Sequence, residues 1–427
     1  MRRVLAKMIR PWTWSWRPWL VLALIAPAAW WGGRHGWAWY QWHAGTQALE
    51  RYHGEAARDH LTACLAIWPN DPQTLLLASR AARRAGNHNE AEQHLRACER
   101  LVPQSSDVVL EWSLLRAASG DLDDQLEEYL QQQVQRDPAL VALVGEALTE
   151  GYARVYRIYE AFLCVERWLK LQPDNVQALY LRGRVHTQTG KLQKAVPDFH
   201  RVVELDATRS DARRLLALGL IESGRYAEAL VHLDELHRRL PADPNVVVQQ
   251  ARAYHGLQQT QQARRLLDGV LAEQPGLSSA LRARGEIELL ADQPVRAEGY
   301  LREAAKAAPY DYQIQYSLLR ALTQQGKEKE QEAKAQRAAV DQLKERVERV
   351  GELISSKISM RPHDPALHVE LAILFIKLGQ PENGRGWLLR ALQKDPAFRP
   401  AHAALADYYD QAGNVEQAAY HRERAGP

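Results

Sequence analysis

One sequence pattern recurs with a period of 34 residues between Val176 and Pro309. Successive copies begin at Val176, Ser210, Pro244 and Ser278. When the copies are superimposed, small residues align at Ala195, Ala229, Ala263 and Ala297. Four residues later, large apolar residues align at Phe199, Leu233, Leu267 and Leu301. A fixed period of this length predicts a stack of repeated supersecondary units rather than a single globular core.

Each copy contains two apolar-periodic stretches of helical length, for example residues 175–189 and 192–205. A residue suited to a turn stands between them, namely Gly190, Gly224, Gln258 or Asp292. Glycine at this point predicts a left-handed stop after the first helix. One such hairpin cannot bury its own apolar face, so we expect neighbouring hairpins to stack and share a continuous core.

These columns resemble the tetratricopeptide repeat family, whose unit has small residues at positions eight and twenty, a large one at twenty-four and proline near thirty-two. Position eight is occupied by Gly183, Ala217, Ala251 and Gly285. The resemblance implies an all-α fold: a right-handed α-solenoid of about eleven tandem helix-turn-helix units. We expect divergent units over residues 44–173, regular units over 174–326, a long helix over 327–361 and C-terminal units with a cap over 362–427.

Residues 1–43 differ from the rest of the chain because basic residues precede an apolar run, and tryptophans flank that run on both sides. Tryptophan favours the membrane–water interface, and positive charge favours the cytoplasmic side. The segment therefore predicts a basic tail and one transmembrane helix, with the repeats on the periplasmic side of a bacterial cytoplasmic membrane. The predicted anchor residues are Trp19, Leu20, Leu22, Leu24, Ile25, Trp30 and Trp31. A cleaved signal peptide ending near Ala26-Pro27-Ala28 is the alternative, and it predicts a periplasmic or secreted protein.

The stretch from Lys327 to about Ser359 contains no proline and a single glycine, Gly351, so we expect one long helix there. Apolar residues spaced by three and four form a seam of roughly two heptads. They are Val340, Leu343, Val347, Val350 and Ile354. Two interpretations stand: the helix packs across the chain's own solenoid, or the seam forms a homodimer.

Motifs for catalysis, metal binding and cofactor binding are missing from the sequence. The three cysteines, Cys64, Cys98 and Cys164, form no C-x-x-C pair, and no H-E-x-x-H, phosphate-loop or dinucleotide signature occurs. We therefore expect no catalytic residues, no metal and no cofactor. A net charge of +3 is too small to indicate nucleic-acid binding by itself.

The resemblance implies that the first helix of each unit lines a concave face that holds a partner. Carried over to this chain, the partner-binding residues are Arg80, Arg83, Arg84, Arg154, Gln177, Tyr180, Arg184, Arg214, Asn245, Arg252, His255 and Arg282. Arginine clamps carboxylates with paired hydrogen bonds, which favours an acidic segment or a free C-terminus as the ligand. Glutamates such as Glu111, Glu222 and Glu286 interrupt this basic face.

We therefore expect a non-enzymatic scaffold or adaptor that is tethered to the membrane and binds a protein segment. Two other hypotheses fit the same sequence. The chain could position an envelope enzyme as its accessory subunit, or it could bind an anionic polymer, with an affinity that falls steeply with salt.

Overall fold

The computed structural model describes residues 17–426, and their side chains from residue 30 onward except that of Ser359. Every regular element in this part of the chain is helical. The chain divides into two compact bodies. The first comprises residues 17–119 and 123–130, and the second comprises residues 120–122 and 131–426.

The first body is built from antiparallel helical hairpins. Its helices are α1 (Arg17–Glu50), α2 (Gly54–Leu65), α3 (Pro72–Arg84), α4 (His88–Leu101), α5 (Ser106–Ser119) and the start of α6 (Asp124–Arg136). Its core holds Leu75, Leu95 and Val108 from successive hairpins. Cys64 and Cys98 are both buried, and Cys98 belongs to this core.

Helix α1 is continuous through the boundary predicted near residue 43. Its C-terminal part belongs to the first hairpin, where Ala38 and Leu49 are buried. A Cβ atom at Gly45 would lie 2.7 Å from Cγ of Leu61, so α1 and α2 approach each other closely at this glycine. The N-terminal segment and the first repeat therefore share one helix.

Four tryptophans upstream of this contact are exposed. They are Trp30, Trp31, Trp37 and Trp39. The side chains of the other predicted anchor residues, Trp19 to Ile25, lie outside the described ones. Within residues 17–426, no helix combines the length and the apolar content that crossing a membrane requires.

The second body continues the hairpins. Its helices are α7 (Val141–Arg154), α8 (Ile158–Leu171), α9 (Val176–Gln188), α10 (Leu192–Leu205), α11 (Ser210–Glu222), α12 (Tyr226–Arg239), α13 (Pro244–Gly256), α14 (Thr260–Glu273), α15 (Ser278–Leu290), α16 (Pro294–Ala307), α17 (Tyr312–Gln324), α18 (Glu330–Glu352), α19 (Ile358–Met360), α20 (Pro365–Lys377), α21 (Pro381–Lys394), α22 (Arg399–Gln411) and α23 (Val415–Ala425). Helices α9 to α16 coincide with the stretches that the period predicts.

The predicted turns adopt the left-handed conformation. The φ angle is 72° at Gly190, 74° at Gly224, 65° at Gln258 and 54° at Asp292. The last two are not glycine, so tertiary packing imposes a conformation there that their own residue type disfavours.

The aligned columns are buried between the two helices of each hairpin. Ala195 and Phe199 are fully buried, as are Ala263 and Leu267. A Cβ atom at Gly183 would lie 2.6 Å from the ring of Phe199, so position eight faces position twenty-four within a hairpin. A small residue is needed there because the opposite residue is large.

The long helix packs against its own chain, as the first of the two interpretations predicts. A 3₁₀ turn over Gly326–Lys329 leads into α18, and a π-helical turn over Leu353–Lys357 leads into α19. In the seam, Val340 and Leu343 are buried. Val350 and Ile354 pack against the C-terminal core, while Val347 is exposed.

Residues far apart in sequence meet where the turn between α7 and α8 reaches the C-terminal repeats. The Tyr156 ring stacks on Trp387, with centroids 5.8 Å apart, and on Phe375 at 6.4 Å. Lys394 Nζ donates to the Leu122 carbonyl over 3.4 Å. Distant repeats of the second body are therefore in direct contact.

Candidate functional site

The polar side chains of α9, α11, α13, α15 and α17 define what we call the first-helix surface of the second body. Its arginines connect neighbouring repeats. Arg214 donates to Asp243 at 2.7 Å, and Arg252 donates to Glu222 at 2.9 Å. These ion pairs are partly exposed, so each contributes only about 0–1 kcal/mol and can be exchanged for a partner's carboxylate.

Two further predicted residues, Gln177 and Tyr180, are held in a cluster around Arg209. The Arg209 guanidinium lies 4.4 Å from the Tyr180 ring centroid and donates to Gln177 over 3.3 Å. Burial, together with nearby Asp211, raises the pKa of Tyr180 to about 12. Both side chains are therefore engaged in packing between α9 and α11.

Other predicted residues of this surface are less constrained. Arg184 is exposed, and its guanidinium lies 5.8 Å from the Tyr180 ring. Among the described residues, it has no ion pair. Asn245 is exposed and accepts a 3.4 Å bond from Ser279. Burial lowers the pKa of His255, helped by the charge of Arg264, so this imidazole is neutral at pH 7.

Arg282, the last of the predicted residues in chain order, lies 3.6 Å from Glu286 one turn along the same helix. Glu286 also accepts a 3.3 Å hydrogen bond from Ser317 of the next repeat. This chain of contacts extends the first-helix surface from α15 to α17.

Two residues of this surface were missed by the sequence analysis. Arg320 is part-exposed on α17 and has no ion pair within the described chain, and Tyr316 beside it is exposed. They occupy positions nine and five of the unit that starts at Tyr312. Arg184 and Tyr180 occupy the same two positions in the unit that starts at Val176. The alignment of the repeats could therefore have predicted Arg320 and Tyr316 from the sequence.

The predicted residues of the first body have a structural role. Glu111 accepts hydrogen bonds from Arg80 Nε at 3.0 Å and from Arg83 Nε at 2.9 Å. Burial would raise the pKa of Glu111, but the two arginines outweigh it and hold that pKa below its usual range. Arg84 donates to the Leu49 carbonyl over 2.7 Å. These side chains connect repeats within the body.

The remaining predicted residue, Arg154, is exposed at the end of α7 in the second body. It lies near Arg390, whose guanidinium packs 4.9 Å from the Trp387 ring centroid. Burial, followed by the repulsion from Arg154, lowers the pKa of Arg390 to about 10. Arg154 therefore belongs to the contact with the C-terminal repeats and not to the first-helix surface.

Comparison with known proteins identifies the repeat. Residues 148–218 and 220–286 each match a family profile described as tetratricopeptide repeat. Tetratricopeptide repeat protein 14 of Mus musculus is 34% identical over 77 residues, which are 18% of this chain and 10% of the mouse protein. Residues 148–286 of the chain therefore contain tetratricopeptide repeats.

Solved structures of similar proteins include further tetratricopeptide repeats. One, from Parabacteroides merdae, is 16% identical, covers 67% of this chain and 99% of its own, and has a TM-score of 0.35. The human IFIT1 dimer with PPP-AAAA is 17% identical, covers 83% of this chain and 90% of its own, and has a TM-score of 0.37.

No group of three or more His, Cys, Asp or Glu residues able to hold a metal ion occurs within residues 17–426. Tandem repeats of this kind form protein-interaction scaffolds, because stacked first helices make an extended surface.

Proposed function

We propose that this protein is a non-enzymatic scaffold that holds an acidic segment or the C-terminus of a partner protein on the first-helix surface. One observation carries the proposal: Arg184 and Arg320 lie on this surface without an ion pair among the described residues. A carboxylate would give each of them a charge-assisted hydrogen bond.

Two further arginines of the first-helix surface, Arg214 and Arg252, form ion pairs with acids of neighbouring repeats and support the same ligand. Because the bonds of Arg214 to Asp243 and of Arg252 to Glu222 are partly exposed, an incoming carboxylate replaces one weak ion pair with another at little cost. Affinity then comes from the sum of several contacts along an extended segment.

Photo-crosslinking tests this proposal. A benzophenone amino acid at position 184 of the full chain should crosslink an acidic segment, which mass spectrometry of the adduct can locate. The matched control is position 231 on α12, where Val231 is exposed on a second helix of the same body. Arg184→Glu with Arg320→Glu should remove binding of that segment. Equal capture at positions 184 and 231 would show that the first-helix surface is not selective.

The N-terminal segment is proposed to tether this scaffold to a bacterial cytoplasmic membrane, with the repeats on the periplasmic side. The exposed aromatic side chains support an interfacial attachment, since Trp and Tyr favour the headgroup region. They are Trp30, Trp31, Trp37, Trp39 and Tyr40. Because α1 continues into the first hairpin, the attachment would orient the first body on the bilayer.

Fractionation with protease treatment of spheroplasts tests the tether. The full chain should sediment with the membrane, and external protease should remove the repeats. Replacing Trp30, Trp31, Trp37 and Trp39 by serine should weaken flotation with liposomes. Exclusively soluble protein, shortened near Ala28, would instead support the cleaved signal peptide.

A further inference from the structure

A cleft of about 820 Å³ lies between distant parts of the second body. One wall is formed by α8, by the C-terminal end of α9 and by the turn between α9 and α10. The other wall is the C-terminal end of α18 and the π-helical turn that follows it. The cleft adjoins the first-helix surface at His186 and Gln188, but Arg184 and Arg320 are not among the residues that line it. Its volume lies within the range of small-molecule sites, which is about 300–1,000 Å³.

The interior of the cleft is mainly apolar. Ile158 and Phe162 of α8 line one side, and Val347, Val350 and Ile354 of the seam line the other. Tyr159 and Val347 are exposed at the opening, with 68% and 44% of their surfaces accessible. The exposed part of the seam therefore faces this cleft.

The charge at the cleft is positive. Lys191 and Lys194 line its edge at the start of α10, and both are exposed. Neither has an ion pair within the described chain, and no Asp or Glu is among the residues that line the cleft there. Nearby acids are already bound: Asp198 accepts from Arg182 at 3.0 Å, and Glu352 lies 2.6 Å from Arg349.

Gly351 keeps the cleft open. A Cβ atom at this helical position would meet no atom within 4 Å. Glycine inside a helix costs about 1 kcal/mol relative to alanine, so the helix backbone tolerates a larger residue at this position. The side chain of such a residue would occupy part of the cleft. The position offers a way to block the cleft without straining the fold.

We propose that the cleft binds a single-chain anionic amphiphile, with its apolar chain between α8 and α18 and its head group at Lys191 and Lys194. Apolar walls with a few fixed charges are the usual lining of a small-molecule site. Two lysines that form no ion pair within the described chain, and whose nearby acids already pair with arginines, favour an anionic head group over a cationic one. This site is independent of the proposed scaffold function.

A protein helix is the less suitable occupant. With a diameter of about 10 Å and a rise of 5.4 Å per turn, a helix would fill 820 Å³ within roughly two turns. Isolated helices of that length are marginal in water, so such a segment would have to be ordered at a cost to its affinity. An acyl chain fills the same apolar space without that requirement.

Calorimetric titration of the full chain with dodecanoate tests the proposal, with dodecyltrimethylammonium as the cationic probe of equal chain length. Dodecanoate should bind at one site, at least about tenfold more tightly than the cation, which corresponds to 1.4 kcal/mol. Lys191→Glu with Lys194→Glu should reverse this preference. Acidic residues suit the N-terminal end of α10, so this variant is expected to fold.

Gly351→Leu should abolish the one-site binding of dodecanoate, while the matched variant Gly351→Ala should retain it. Both should melt no lower than the wild type. Binding that survives in Gly351→Leu would place the amphiphile elsewhere, for example at the exposed tryptophans of α1, and would overturn the proposal. Equal affinity for the two probes, or no binding of dodecanoate, would also overturn it.

Discussion

Glu111→Gln is expected to destabilise the first body strongly, although it changes neither the volume nor the shape of the side chain. Glu111 is fully buried and accepts hydrogen bonds from Arg80 and Arg83, of which Arg83 is 1% exposed. Removing one partner of a buried ion pair leaves an uncompensated charge and costs about 3–5 kcal/mol. Because Arg80 is partly exposed and Arg83 has further contacts, we expect about 3 kcal/mol.

A repeat array does not unfold in one step, so the loss has to be measured locally. Hydrogen exchange of the full chain, followed by mass spectrometry, should show faster exchange in α3 and α5. Protection in the second body should change little. Exposed Glu99 on α4 offers the matched control, and Glu99→Gln should alter stability by less than about 0.5 kcal/mol.

A second variant separates the charge from the packing. Arg83→Met combined with Glu111→Leu replaces the pair by apolar residues, which is often neutral or stabilising. We expect this double variant to recover most of the stability that Glu111→Gln loses. A loss below about 1 kcal/mol for Glu111→Gln would refute the argument that this pair connects the repeats.

Three further outcomes follow from the repeats. Gly183→Ala should destabilise α9 and α10 by about 1–2 kcal/mol in hydrogen exchange, because the new Cβ atom overlaps the Phe199 ring. Gln258→Gly should stabilise by about 0.5–1 kcal/mol, since glycine adopts the observed φ of 65° without strain. Burial lowers the pKa of His368 to about 4. In the unfolded protein, this histidine therefore takes up a proton at a higher pH than in the folded protein. The free energy of unfolding should fall by roughly 3 kcal/mol as the pH drops from 6.5 to 4.

Each of these outcomes has an internal control. Phe199→Leu should relieve Gly183→Ala, because Ala217 and Leu233 form that combination in the next repeat. Gly224→Gln should lose about what Gln258→Gly gains. His368→Gln should flatten the stability profile between pH 6.5 and 4. Unchanged stability in Gly183→Ala, in Gln258→Gly or across this pH range would contradict the corresponding argument.

The repeated hairpins could be predicted from the sequence because their causes are local. The turn at Gly190 and the burial of Ala195 and Phe199 depend on residues within one 34-residue unit. The partners of the arginines could not be predicted in the same way. Arg80 and Arg214 meet acids in adjacent repeats, and the rotation between repeats decides which charges come within reach.

By itself, the sequence determined that this chain forms stacked helical hairpins, where the helices of the regular units end, and which small and large residues face one another. The tertiary structure alone decided how the long helix is used and where the apolar cleft lies. Phe162 and Val350 line its opposite walls although they are 188 positions apart in the chain. Periodicity specifies contacts within and between neighbouring units. The approach of distant units depends instead on small rotations that accumulate along the stack, which no single repeat encodes.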